Sequence, residues 1–201
     1  ELRAVAPGTL TAWKKLLLAE LYERTLKYLL DPKSLDKHSQ VTRAGVFQAL
    51  HGELSVMDIE SHLGQMPEDY LLTAHSEEVA LHIRLIRSLK DKPFILYHEF
   101  NEEGKYHNLT LACVSGQDSF KKMVGTLTVK NLNILGAHIY LKKDGFVIVS
   151  VQVDESEVAL KGGFEIWKEI KLILEKLFLK KTDLQKMMRL RTRFTGEQKG
   201  S

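Results

Sequence analysis

The sequence predicts an α+β chain, an N-terminal helical segment followed by an antiparallel sheet with helices on one face. Three observations carry this reading. Up to Leu89 the apolar residues recur at steps of three or four. After Pro93 the period changes to two, and Val147, Val149, Val151 and Val153 form one clean alternating face. From Tyr106 onward, extended and amphipathic helical stretches follow in the order β-α-β-β-α.

The first helix starts behind a Pro-Gly turn and a Thr. Leu10, Trp13, Leu17, Leu21, Thr25 and Tyr28 make an apolar stripe suited to a partner surface. Glu20 and Arg24 form a supportive i,i+4 pair, and "DPKS" stops the helix after Leu30. "SQVTRAGVFQAL" and "SVMDIESHLGQM" read as short helices split by "HGE". "MPEDYLL" then turns into "SEEVALHIRLIRSL", where Ser76 can cap. Val79, Ile83 and Ile86 are its inner stripe, and His82 beside them reads as a buried, hydrogen-bonded packing residue.

"FILYHEF" and "KYHNLTLACV" flank "NEEG", which suits a three-residue hairpin loop with Gly104 in the left-handed region and Glu99 opposite His107. A two-residue loop would instead face His98 with His107. Two histidines without further ligands make a poor metal site, and Glu-Glu is poor chemistry for that turn. A helix follows, "DSFKKMVGTLTVKN", with Phe120, Val124 and Leu127 inward and Asp118 as its N-cap. Asn131 or Asn133 closes it. "LNILGAHIYL" and "FVIVSVQV" are strands around a "KKDG" turn. The last helix, in "GGFEIWKEIKLILEKLF", turns Phe164, Trp167, Ile170, Leu174 and Leu177 inward. A final strand would complete a sandwich of ferredoxin type. No convincing one follows, and "RTRFT" is the only stretch that could begin it. The expected division is residues 1–92 helical, 93–180 sheet-forming, and 181–201 a C-terminal helix and partly flexible tail.

With 44% apolar and 27% charged residues the composition is that of a soluble globular protein. A net charge of +3 is too slight to argue for nucleic acid, and the basic "LKKTDLQKMMRLRTRF" reads as a solvated helix face and tail. No apolar run approaches the roughly 20 residues that span a bilayer, and no signal peptide opens the chain. Cys113 stands alone, which fits a reducing, cytoplasmic setting, and its place in "LTLACV" makes it a core residue rather than a nucleophile. The eight histidines show no motif spacing, and no Ser-His-Asp or Cys-His arrangement can be assembled. A start at Glu1 and an end in "TGEQKGS" read as an excised fragment.

The β-α-β-β-α order with "LNILGAHIYLKKDGFVIVSVQV" resembles the ACT domain, a regulatory module that often binds amino acids. "ELRAVAPGTLTAWKKLLLAELYERT" resembles the end of the HD domain of bacterial PII uridylyltransferases. "MPEDYLLTAHSEEVALHIRLI" is similar to the segment linking that HD domain to the first ACT domain. The resemblance implies a four-part parent enzyme in nitrogen regulation: a nucleotidyltransferase, an HD domain and two ACT domains. It would uridylylate the PII signalling protein when glutamine is scarce and remove the group when glutamine is abundant. It further implies Mg for the transferase and a divalent metal held by HD-domain His and Asp residues. Neither constellation occurs in these residues, so the fragment is expected to carry no catalytic site, metal or cofactor.

The ACT pattern usually has an Asp-Arg-Pro-Gly type turn between first strand and helix, whereas this chain reads Ser115, Gly116, Gln117 and Asp118. These four, with Asn133 and Gly136, are the candidate ligand-binding residues. Asp118 puts negative charge where a ligand carboxylate would dock. The expectation is thus a regulatory fragment coupling effector status to PII modification. The alternative is a degenerate ACT-like module for homodimerisation or protein docking that takes no small ligand.

Overall fold

The computed structural model describes residues 12–31, 34–114, 118–155, 158, 163 and 165–188. Among the described residues five helices come first: α1 (Ala12–Leu30), α2 (Ser34–Ala49), α3 (Val56–Gln65), the single turn α4 (Tyr70–Thr73) and α5 (Ser76–Leu89). The hairpin β1 (Phe94–Asn101) and β2 (Tyr106–Val114) follows. Then come α6 (Ser119–Val129), β3 (Ile134–Leu141), β4 (Phe146–Asp154) and α7 (Glu165–Phe178).

Local chemistry sets the helix starts. Ser55 caps α3 by accepting from the Asp58 N–H at 3.1 Å. For α5 the cap is His75, one residue ahead of the expected Ser76. The Glu78 carboxylate reaches back to accept from the His75 N–H at 3.0 Å, which a cap at Ser76 could not exploit three residues on. On α1 the described members of the predicted stripe, Leu21 and Thr25, are exposed, as are Tyr22, Leu29 and Leu30. Leu10 and Phe164, and the side chains of Trp13, Leu17, Glu20, Arg24 and Tyr28, lie outside the described residues.

The four strands form one antiparallel sheet in the order β1-β2-β4-β3. In a ferredoxin-type sheet the lane beside β2 belongs to a final strand, antiparallel to it. Here β1 fills that lane with the same polarity, because its hairpin pairing with β2 is local. Among the described residues the lane of the last strand is therefore filled from upstream. "RTRFT" lies outside the described residues.

The hairpin register differs from expectation. The loop spans four residues, 102–105, so Phe100 lies opposite His107 and Asn101 opposite Tyr106. The Asn101 carboxamide accepts from the Gly104 N–H at 2.7 Å, and Lys105 rather than Gly104 takes the positive φ, 53°. Gly104 is needed for space instead: a Cβ there would lie 2.1 Å from the Tyr106 ring.

The central strands β2 and β4 are buried on both faces. On one side Leu109, Leu111, Cys113 and the four valines of β4 pack against Met123 and Leu127 of α6 and against Trp167, Ile170 and Leu174 of α7. These two helices share one face, as expected. On the other side Tyr140 and Ile148 join Val46, Leu50, Ile59, Tyr70, Val79 and Ile83 of the upstream helices. β4 is thus covered twice, which its Val/Ile-rich run permits. The α6 stripe is rotated from expectation. Ser119 is buried at the first helical position, so the inner line runs Ser119–Met123–Leu127 and leaves Phe120 at the rim, 38% exposed. Asn131, at φ 58°, ends that helix.

Candidate functional site

The helical layer meets the sheet at a buried polar joint. Tyr70 ends its side chain 2.8 Å from His82 Nδ1, and His82 Nε2 lies 3.4 Å from Ser150 Oγ on β4. When the phenol donates to Nδ1, Nε2 carries the proton and donates to Ser150. Ser150 in turn stands 3.5 Å from Thr110 on β2. Tyr140 on β3 packs edge-on to Tyr70, ring centres 4.8 Å apart, and shares a 3.2 Å hydrogen bond with Thr73. The chain Tyr70–His82–Ser150–Thr110 therefore crosses from α4 and α5 into the two central strands.

Burial fixes the charge state of this joint. It pushes the His82 imidazole down to about 3, with His62 adding to the effect. His62 is held at about 4 by burial and by Lys142, with Asp144 opposing. Burial also raises the Tyr70 phenol well above its ordinary value. Both imidazoles are neutral at pH 7, and His62 Nε2 is buried with no hydrogen-bond partner among the described residues.

A second contact ties the turn at residues 142–145 to the end of α3. The Lys143 N–H donates to the Gln65 carbonyl at 2.9 Å, and its ammonium donates to the Gly64 carbonyl at 3.3 Å. The buried Lys142 ammonium holds Gln65 Oε1 at 2.8 Å and pairs with Asp144. Two lysines at a helix C-terminus meet its unpaired carbonyls and its dipole with the favourable sign.

Of the sequence-predicted ligand residues, Asp118, Asn133 and Gly136 lie among the described residues. Ser115, Gly116 and Gln117 lie outside the described residues. Asp118 stands at the N-cap position of α6 but is left-handed, φ 78°, and makes no side-chain cap bond; only its carbonyl engages, accepting from the Lys122 N–H at 2.7 Å. Asn133 precedes β3, and its carbonyl accepts from the Asp154 N–H at 3.2 Å. Gly136 lies at a β3 bulge beside Gln152. Val114 pairs with Phe146, whereas Gly136 pairs with Gln152. At ~3.3 Å per residue that puts Val114, where β2 ends, and Gly136 roughly 20 Å apart along β4.

His98 and His107, two pairs apart in the register and on the same sheet face, do meet. Their ring nitrogens are 2.8 Å apart, and Glu155 accepts at the far nitrogen of His107. His98 stacks on Trp167 with centres 4.3 Å apart. The nitrogens point at one another rather than at a common point. Among the described residues no group of three or more His, Cys, Asp or Glu side chains could hold a metal ion. No described helix is long and apolar enough to cross a membrane.

Sequence reasoning found His82 but missed its partners. The signal was present in "FVIVSVQV", where Ser150 is a small hydroxyl in a β-branched run. Tyr70 was hidden in a segment that reads as a turn.

An ACT-like sheet locked to an upstream helical layer is the class of protein that this fold and joint define. The particular likeness is to bifunctional uridylyltransferase/uridylyl-removing enzymes. The chain is 26% identical to that of Azospirillum brasilense over 170 residues, covering 82% of this chain and 18% of the relative. To that of Pasteurella multocida it is 27% identical over 153 residues, 72% and 17% of the two chains. To that of Nitrosospira multiformis it is 26% identical over 156 residues, 76% and 18%. These are the enzymes that the sequence motifs resemble. No family model matches the chain. It spans under a fifth of the length of these curated relatives.

Proposed function

We propose that this chain is a regulatory segment of a uridylyltransferase/uridylyl-removing enzyme, running from the end of its HD domain through its first ACT domain. The observation that carries the reading is the Tyr70–His82–Ser150 chain. It joins the helical layer to the sheet through a buried contact, so a displacement of the sheet is felt by the helices that lead upstream. The similarity to these enzymes runs through both layers together, over 72% to 82% of the chain. The parent would add uridylyl groups to a PII protein and remove them according to glutamine, with Mg and HD-domain metals held elsewhere in it. Coupling of this kind needs contacts that differ between two states, and a neutral, desolvated joint is costly to half-open.

The test is His82→Leu in the full-length parent enzyme. Basal uridylyl transfer should persist while its dependence on glutamine flattens. An unchanged glutamine response with the joint cut would sink the reading.

A second role, pairing of two sheets, is favoured by one observation. The β3 edge exposes Ile139 at 49% and Leu141 at 58% on the face that carries α6 and α7. Light scattering of Leu141→Lys against the parent sequence tests it: a monomer in both removes the support.

A further inference from the structure

Away from the joint, a cleft of about 1080 Å³ opens between the start of α6 and the chain that follows α7. Five lysines line it: Lys121 and Lys122 from the first turns of α6, and Lys180, Lys181 and Lys186 from the returning segment. Among the described lining residues only Asp118 and Asp183 oppose them, and the Asp183 carboxylate already accepts from the Gln185 N–H at 2.6 Å. Elsewhere Lys130, Lys142 and Lys168 each find a carboxylate. Among the described residues none of the five cleft ammonium groups is in an ion pair.

The cleft is built rather than incidental. Leu184 is buried and seats against Gly125 of α6, where a Cβ would lie 2.2 Å from its Cδ2. The absence of a side chain at Gly125 therefore lets the returning segment close over the helix and bring both lysine groups to one concavity. Phe178 forms part of the wall, with the Lys122 ammonium 4.5 Å from its ring centre.

Like charges gathered around one open concavity repel, and their summed field favours an anion that occupies it. A lone carboxylate, such as that of an amino acid, would offset one charge of several. A phosphate chain offsets them together, and lysine ammoniums meet it as point charges without the planar geometry that a carboxylate asks of arginine. The volume exceeds the roughly 300–1000 Å³ common for small-molecule sites, leaving room for a ring beside the phosphates. We propose that the cleft between α6 and the segment after α7 is a binding site for a polyphosphate anion of nucleoside-triphosphate size. This inference rests on the lysine geometry and not on the functional reading above.

Calorimetric titration of the 201-residue chain tests it, with ATP, inorganic tripolyphosphate and a hexaglutamate peptide as three probes. ATP should bind one to one. Lys180→Glu/Lys181→Glu should weaken it roughly tenfold or more, since two attractive charges become repulsive. Lys37→Glu/Lys92→Glu, the same charge change away from the cleft, should leave it in place. Tripolyphosphate binding as tightly as ATP supports the site as one for the phosphate chain alone. ATP binding more tightly, with the difference lost in Phe178→Leu, adds the ring to it. Absence of ATP binding, equal loss in both double variants, or tighter binding of hexaglutamate would each overturn the proposal.

Discussion

The phenol of Tyr70 lies 2.8 Å from Nδ1 of His82, twelve residues on, and neither group reaches water. The pair is one hydrogen bond inside an apolar cluster, so each partner depends on the other for satisfaction.

Tyr70→Phe should therefore destabilise the chain by about 1–3 kcal/mol, because it strands a buried ring nitrogen. Tyr70→Phe with His82→Leu should cost less than the sum of the two single changes. Urea unfolding of the four proteins measures the coupling, and simple additivity would deny the bond its role.

Stability should fall on mild acidification. His62 and His82 sit at about 4 and about 3 in the fold against 6.5 when unfolded. As pH drops below 6.5 the unfolded chain takes up these protons first, so stability is whole above 6.5 and is lost progressively down to about 4 and then 3. For His62 the full loss is on the order of 3 kcal/mol. The Glu53 carboxyl is lowered by its hydrogen bond with Arg84. His62→Leu also removes the unpaired Nε2, so it should hold or raise stability at pH 7 and shallow the slope between pH 6.5 and 4. An unaltered slope would place the proton uptake elsewhere.

Gly125→Val should destabilise by about 1–3 kcal/mol through overpacking against Leu184. Leu184→Ala in the same chain should restore part of that loss. Thermal unfolding of the pair decides it, and a Gly125→Val protein as stable as the original would mean that the returning segment does not rest on α6.

His98 is held at about 4 by burial first and by His107 second. His107→Asn should move it upward, toward the ordinary histidine range. Ring-proton NMR titration reads this directly, and a midpoint still at about 4 would leave burial as the whole cause.

Much of the fold was legible from pattern. Alternation in "FVIVSVQV" marks β4, steps of three and four mark α5 and α7, and the choice of Asn131 or Asn133 brackets the end of α6, because each signal lies within one element and its own backbone period. The hairpin register was not legible. It turned on Asn101 capturing the Gly104 N–H and on a ring lying over that glycine, contacts that lengthen the loop by one residue. The inner face of α6 was misjudged because Ser119, buried where the helix starts, counts as polar in any hydropathy pattern. The basic cleft escaped notice because its lysines come from two stretches nearly sixty positions apart.

By itself the sequence determined the elements, their order and the likeness to uridylyltransferase/uridylyl-removing enzymes, since period, turn chemistry and residue identity are properties of contiguous chain. Only the tertiary structure decided that β1 takes the lane beside β2, that β4 is covered on both faces, and that Tyr70, His82 and Ser150 meet. The reason is physical. Open strand edges and half-buried polar groups are satisfied by whichever partner arrives in space, and distance along the chain does not specify that partner.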